Sequence, residues 1–243
     1  MITDPIYPEE KPNTNKFWTE KYRPQTLDDV VGQENVVKIL KAYENKPIPE
    51  IPMFLFYGTY GVGKTATAMA FLRNRVPFFH ENSAKNRGID FAKYIDQKLL
   101  SPVLLEQFIH LNNHKPHKGK WEGIKFIIDE AEQITPTAQI MIRDSMERGG
   151  FAAKVIMITN DLRKIDEGLR KRFIELEFTP IKEQSMRKLA ERIIQTEQLD
   201  IPDDDLTSII KASVGIPRDF IKNLNIYAIT RILPKQQNSL NEY

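Results

Sequence analysis

The chain lacks cysteine throughout its 243 residues. That absence excludes disulfide frameworks, thiolate zinc sites and cysteine nucleophiles, and it fits a reducing compartment. An excess of charge of one sign is also missing: 35 Lys and Arg stand against 33 Asp and Glu, a net +2. Contact with nucleic acid therefore has to come from a local basic surface. No apolar run approaches the length of a membrane span. Met1 to Asn15 is polar and proline-broken, lacks the apolar core of a signal peptide, and reads as an extended arm. Internal repeats and low-complexity segments are absent too. What remains is 41% hydrophobic and 28% charged, the balance of a soluble globular protein with a core sufficient for one large or two modest domains. The expected location is intracellular, with no membrane partner.

Unalternating apolar runs at Met53–Tyr57, Lys125–Ile128 and Val155–Thr159, with a weaker one at Phe173–Phe178, suit strands buried on both faces. Helical spacing lies between them, for example at Gln33–Tyr43, where Val36, Val37, Leu40 and Tyr43 share one side. Strand and helix in alternation predict an α/β fold with a parallel sheet. Beyond Pro180 the strand runs stop, and Gln184–Leu199, Asp203–Ala212 and Arg218–Leu233 have helical spacing, with Pro202 and Pro217 near helix starts. The predicted division is an arm over 1–16, a nucleotide-binding domain over 17–180, a helical lid over 181–233 and a polar tail over 234–243.

Gly58-Thr59-Tyr60-Gly61-Val62-Gly63-Lys64-Thr65 has the spacing of a phosphate-binding loop, with a buried strand before it and the Ala66-containing helix after it. Its glycines let backbone N–H groups turn toward phosphates, and the helix N-terminus favours their charge. Lys64 is placed to reach the β- and γ-phosphates, and the Thr65 hydroxyl to hold Mg²⁺. Asp129-Glu130 ends a second buried strand: Asp129 suits the Mg²⁺ shell and Glu130 the polarisation of an attacking water. Asn160 ends a third strand, where it orients a water, reads the γ-phosphate, or simply turns the chain before Asp161. A phosphate loop with a strand-end Asp-Glu implies an NTPase that uses ATP or a similar nucleotide with Mg²⁺.

The combination resembles the AAA+ ATPases, and among them the small subunits of replication factor C, the sliding-clamp loader. Trp18-Thr19-Glu20-Lys21-Tyr22-Arg23-Pro24 with Val30-Val31-Gly32-Gln33 is similar to the opening box of those subunits, which implies Tyr22, Arg23, Pro24, Val30 and Val31 near the adenine. Asp129-Glu130-Ala131-Glu132 stands where that family has Asp-Glu-Ala-Asp. Ala138-Gln139 with Arg143 and Met146-Glu147 resembles its next helix, where a Gln and an Arg link DNA to the catalytic acid. Leu169-Arg170-Lys171-Arg172-Phe173 occupies the place of the Ser-Arg-Cys motif, which implies that Arg172 acts in trans on a neighbour's ATP. With Lys171 and Phe173 replacing Ser and Cys, Arg170 is the rival. Gly215-Ile216-Pro217-Arg218 resembles the second sensor motif, so Arg218 is expected to reach ATP from the lid.

Asn82-Ser83-Ala84-Lys85-Asn86-Arg87-Gly88-Ile89-Asp90 resembles the family's template-strand contact. That implies phosphate contacts from Lys85, Arg87 and Lys93, with Ser83 and backbone N–H groups assisting, and these would read backbone shape rather than sequence. The apolar stretch from Phe91 to Leu111 is mostly core, with some side chains that suit a clamp pocket. His110, His114 and His117 lack the carboxylate or cysteine that would complete a metal set, and His114–Lys120 reads as a basic loop. The resemblance implies ATP and Mg²⁺ as ligands. It further implies sibling subunits in a homo- or hetero-oligomer, a pentamer in the family, with a sliding clamp and primer-template DNA as partners. The implied location is the cytoplasm of a prokaryote or an infected prokaryotic host, or a eukaryotic nucleus. The chain stops where family members continue into a helical collar.

Two other readings compete. A recombination or branch-migration motor is disfavoured by the Trp18–Pro24 box, of which such relatives carry only the later Arg-Pro part. A non-hydrolysing structural subunit is disfavoured by the joint presence of Lys64, Thr65, Asp129 and Glu130.

Overall fold

The computed structural model describes residues 17–46, 50–72, 78–84, 87–100, 124–148 and 153–234. Strands β1 (Phe54–Gly58), β2 (Phe78–Asn82), β3 (Ile124–Asp129), β4 (Ala153–Thr159) and β5 (Ile174–Phe178) form one parallel sheet in the order β2-β3-β4-β1-β5. Parallel neighbours require crossovers, and helices supply them. Helix α1 spans Trp18–Lys21, α2 Glu34–Tyr43, α3 Lys64–Leu72 and α4 Ile89–Leu100. Helix α5 spans Pro136–Arg148 and α6 Glu167–Arg170. Helices α7 (Glu183–Glu197), α8 (Asp203–Ala212) and α9 (Pro217–Thr230) follow the last strand.

Alternation along each central strand feeds two cores. Leu55, Ile128, Val155 and Met157 pack with Phe91, Ile142 and Leu169 on one face of the sheet. Phe54, Phe56, Ile127, Ile156 and Ile158 pack with Val36, Leu40 and Phe71 on the other. Burial on both faces is the physical reason these strands read as continuous apolar runs. Phe56 is fully buried against Phe178, with ring centroids 4.9 Å apart. Truncating it to alanine should cost about 3–5 kcal/mol.

Strand β2 departs from the sequence expectation, which placed no strand there. It lies at the sheet edge, and its second half is polar: His80 and Asn82 meet Asp129 and Glu130 of the site described below, while Glu81 accepts from the Tyr94 hydroxyl at 2.9 Å. The last helix also ends earlier than expected. It closes at Thr230, where Arg231 turns into the left-handed region at φ 58°. A third core joins α7, α8 and α9 through Met186, Ile193, Ile209, Phe220 and Leu224, and it takes in Tyr22 from the N-terminal segment. Among the described residues, no helix is long and apolar enough to cross a membrane. The histidines at 110, 114 and 117, the apolar stretch beyond residue 100 and the basic loop 114–120 lie outside the described residues.

Candidate nucleotide site

The carboxyl ends of β1, β4 and β3 lie side by side, and each ends in a group with chemistry. After β1 the chain turns through Gly58–Gly63 into α3. A Cβ at Gly58 would meet the Phe178 carbonyl oxygen at 2.0 Å, and Gly61 sits at φ +76° against Ile216 and Arg218. Lys64 is buried, and its Nζ donates to the carbonyls of Gly58 (2.8 Å) and Thr59 (2.7 Å) and to Asn160 Oδ1 (2.8 Å). Burial pulls the ammonium down to about 8, against the opposing pull of Asp129 and Glu132 and with help from Arg218.

Thr65 Oγ1 donates to Asp129 Oδ2 at 2.7 Å, and His80 Nε2 lies 3.3 Å from the same oxygen. The other oxygen, Oδ1, accepts the Glu130 N–H at 2.9 Å. Burial alone would raise the Asp129 carboxyl, but these hydrogen bonds overrule it and hold the carboxyl below its ordinary value. A hydroxyl and an ionised carboxylate brought together in this way are the donor set expected for Mg²⁺, and the exposed backbone of the loop suits phosphates. Glu130 occupies the left-handed region at φ 54°, ψ 40°, which swings it out of the strand direction, and its Oε1 accepts from Asn82 Nδ2 at 3.1 Å. A non-glycine residue held there is strained, and such strain concentrates at functional sites.

One cavity of about 460 Å³ collects these groups. The phosphate loop from Tyr60 to Ala66, Asp129, Glu130, Asn160 and Arg218 line it, together with Tyr22, Arg23, Pro24, Val30 and Val31. Gly58 and Thr59 stand just behind it, their carbonyls on Lys64. Three further contributors were not expected at this site from sequence. His80 and Asn82 come from the unexpected strand, where parallel pairing sets Asn82 opposite Asp129. Arg192 comes from α7 and pairs with Asp29 at 3.1 Å beside Val30 and Val31 at the cavity wall. Polar residues at the carboxyl end of a strand neighbouring Asp129 are the signal that would have found the first two.

The residues expected at other surfaces are placed as follows. Arg172 is exposed and is not among those lining the cavity, while Arg170 forms a two-pronged pair with Glu175, Nε–Oε1 2.8 Å and Nη2–Oε2 3.2 Å. Arg87 and Lys93 are exposed, and Lys85 lies outside the described residues. Ser83 is a correction: it is fully buried, with its N–H on the Asp129 carbonyl at 3.0 Å, so it offers nothing to a phosphate. Gln139 is buried as well and bonds the backbone at Ile134, Lys164 and Asp166 rather than Glu130. Arg143 pairs with Asp166 and Asp144, both at 3.3 Å.

A strand–loop–helix phosphate cradle with its lysine, threonine and strand-end carboxylates defines a P-loop nucleotide-binding protein. Residues 54–180 match the ATPase family associated with various cellular activities, and the chain belongs to that AAA family. It is 35% identical over 217 residues to the replication factor C small subunit of Archaeoglobus fulgidus, covering 86% of this chain and 62% of that protein. It is 30% identical over 226 residues to replication factor C subunit 3 of Oryza sativa subsp. japonica, covering 90% of this chain and 58% of that protein. The chain thus spans about three fifths of these curated relatives. The Thermotoga maritima RuvB Holliday junction branch migration motor superposes with a TM-score of 0.66 at 20% identity, over 84% of this chain and 64% of that one, a likeness of fold.

Proposed function

We propose that the chain is an ATP-hydrolysing subunit of a DNA sliding-clamp loader, working with sibling subunits, a clamp and primer-template DNA. The observation that carries the reading is the single cavity that joins Lys64, Thr65, Asp129, Glu130 and Asn160 to the Tyr22–Val31 segment. Similarity to replication factor C subunits at 28–35% identity supports the loader over a branch-migration motor, which shares the fold at 20%. In this reading residues 17–180 form the ATPase domain, 181–233 the lid, and Arg87, Lys93, Arg143 and Lys85 the DNA-facing cations.

Lys64 binds the β- and γ-phosphates through its ammonium, with Arg218 adding charge from the lid. Thr65 and Asp129 would hold Mg²⁺, which when bound neutralises charge on the phosphates. Glu130 takes a proton from water as the water oxygen bonds to the γ-phosphorus and the bond to the ADP oxygen breaks. Glu130 is at present held by Asn82, so it has to leave that partner to reach the water. Arg172 serves a neighbour's site: it is exposed and stands outside its own cavity. Arginines acting in trans are worth about 10³–10⁵ in rate.

The test mixes two variants. Arg172→Ala keeps its acid and Glu130→Gln keeps its arginine, so each alone should be nearly inactive while both bind Mg·ATP in calorimetry. Mixed assemblies should recover part of the turnover. No recovery, with mixed oligomers shown to form, would remove the trans role, and full turnover at dilutions where only monomers remain would remove the shared site.

A further inference from the structure

The side-chain amide of Asn160 is oriented by charged neighbours on both sides. Glu132 lies in the short 3₁₀ turn Ala131–Gln133 that follows β3. Its Oε1 accepts from Asn160 Nδ2 at 2.7 Å, and its Oε2 accepts from Asn160 N at 3.1 Å and from the Thr159 hydroxyl at 2.9 Å. An ionised carboxylate only accepts, so the amide NH₂ is the end that faces Glu132. The opposite end, Oδ1, sits 2.8 Å from the Lys64 ammonium, which only donates. Turning the amide over would set carbonyl against carboxylate and NH₂ against ammonium, and both contacts would be repulsive.

We propose that Glu132 is a positioning residue that locks Asn160 with its acceptor end toward the nucleotide cavity. This rests on the ATPase reading above and sharpens it. An acceptor at that place holds Lys64 and a hydrogen of the attacking water. It cannot donate to a phosphate oxygen, so of the two chemical roles that sequence left open for Asn160, the water-orienting one is selected. The signal for Glu132 was the fourth position of the Asp129-Glu130-Ala131-Glu132 motif, where the family's Asp is one methylene shorter. The extra length lets one carboxylate span the backbone and side chain of Asn160 at once.

The experiment exchanges the polarity of the pair. Glu132→Gln alone permits the reversed amide and should lower kcat about tenfold to a hundredfold, the usual effect of losing a supporting hydrogen-bond partner, with Mg·ATP affinity held within about threefold. Asn160→Asp alone sets two carboxylates together and should be at least as impaired. The double variant Glu132→Gln/Asn160→Asp restores a donor facing an acceptor and still points an acceptor at Lys64, so turnover should rise severalfold above that of either single variant. An aspartate cannot donate to phosphate. Failure of the pair to rescue, with both proteins folded by circular dichroism, would overturn the proposal.

A second measurement needs neither variant nor turnover. In ¹⁵N-labelled parent protein the Asn160 side-chain NH₂ resonances should stay in place between the ADP and non-hydrolysable ATP-analogue complexes, because their partner is Glu132 in both. A large shift confined to the ATP-analogue complex would mean that the amide turns to the γ-phosphate, and it would overturn the locking. Absence of any Mg·nucleotide binding by the parent would instead fail the ATPase reading itself.

Discussion

Lys64 makes nucleotide affinity a function of pH in a range where ATP itself no longer titrates. Burial in the loop lowers the ammonium to about 8, below its ordinary 10.5, because Gly58, Thr59 and Asn160 replace water incompletely. At pH 7 about nine molecules in ten carry the charge, at pH 8 about half, and at pH 9 about one in ten. A bound triphosphate favours the charged form and returns the pKa toward its ordinary value, so binding takes up a proton. Uptake should be about half a proton at pH 8 and approach one at pH 9, and the dissociation constant should rise about tenfold between pH 7 and pH 9. Calorimetry in buffers of different ionisation enthalpy reads the uptake directly. The sign for folding runs the other way. The folded pKa lies below the unfolded one, so the unfolded chain holds more protons between about pH 8 and 10.5, and the cost of keeping this residue charged in the folded state is relieved as pH rises through that window. Lys64→Arg, charged throughout, should flatten the affinity profile whatever its absolute affinity. A parent profile flat to pH 9.5 with no proton uptake would refute the reasoning.

Two other perturbations probe how the cavity is held. Gly61→Ala forces a Cβ to 2.6 Å from Ile216 Cγ2 at φ +76°, and should cost about 1–3 kcal/mol and weaken Mg·ATP binding, whereas Gly88→Ala, which meets nothing within 4 Å, should stay within about 0.5 kcal/mol in urea unfolding. Tyr22→Phe removes the hydroxyl that donates to Glu197 and should destabilise by about 1 kcal/mol, with the lid loosened as seen by faster amide exchange in α7; unchanged exchange would mean the contact is idle.

Most of the site was readable because it sits where strand periodicity ends. Phe54–Tyr57, Ile127–Ile128 and Val155–Thr159 are apolar on both faces, so the first polar residues after them, at the loop, Asp129 and Asn160, stand out. Edge position hid β2. Among the described residues it pairs with β3 alone, and His80 lines the cavity while Asn82 bonds Glu130 at its wall rather than entering a core. The contact that Glu132 makes was hidden for another reason. Its partner lies 28 residues away, and only the fold of the turn after Glu130 brings its carboxylate to the end of β4. Arg192 and Asp29 are 163 residues apart, a pairing that no local pattern encodes.

The wall of the cavity is assembled from parts that belong to different cores, and this fixes what nucleotide binding can do mechanically. Tyr22 is packed in the core of the three C-terminal helices, yet Pro24, Val30 and Val31, a few residues on, line the cavity over the sheet. Lys21 and Tyr22 both meet Glu197, Arg192 reaches back to Asp29, and the Arg218 N–H faces the Gly61 carbonyl at 3.4 Å. Each exposed pair contributes little alone, on the order of 1 kcal/mol or less. A ligand that touches the Tyr22–Val31 segment, the loop and Arg218 together adds its binding energy to all of those contacts at once. It therefore selects one lid angle over the others by its difference in affinity between them, and releases that preference when the contacts through the γ-phosphate are lost. In the clamp-loader reading proposed above, a neighbouring subunit would meet the C-terminal helices at that angle, and the Tyr22–Val31 segment would be the element through which nucleotide state reaches it.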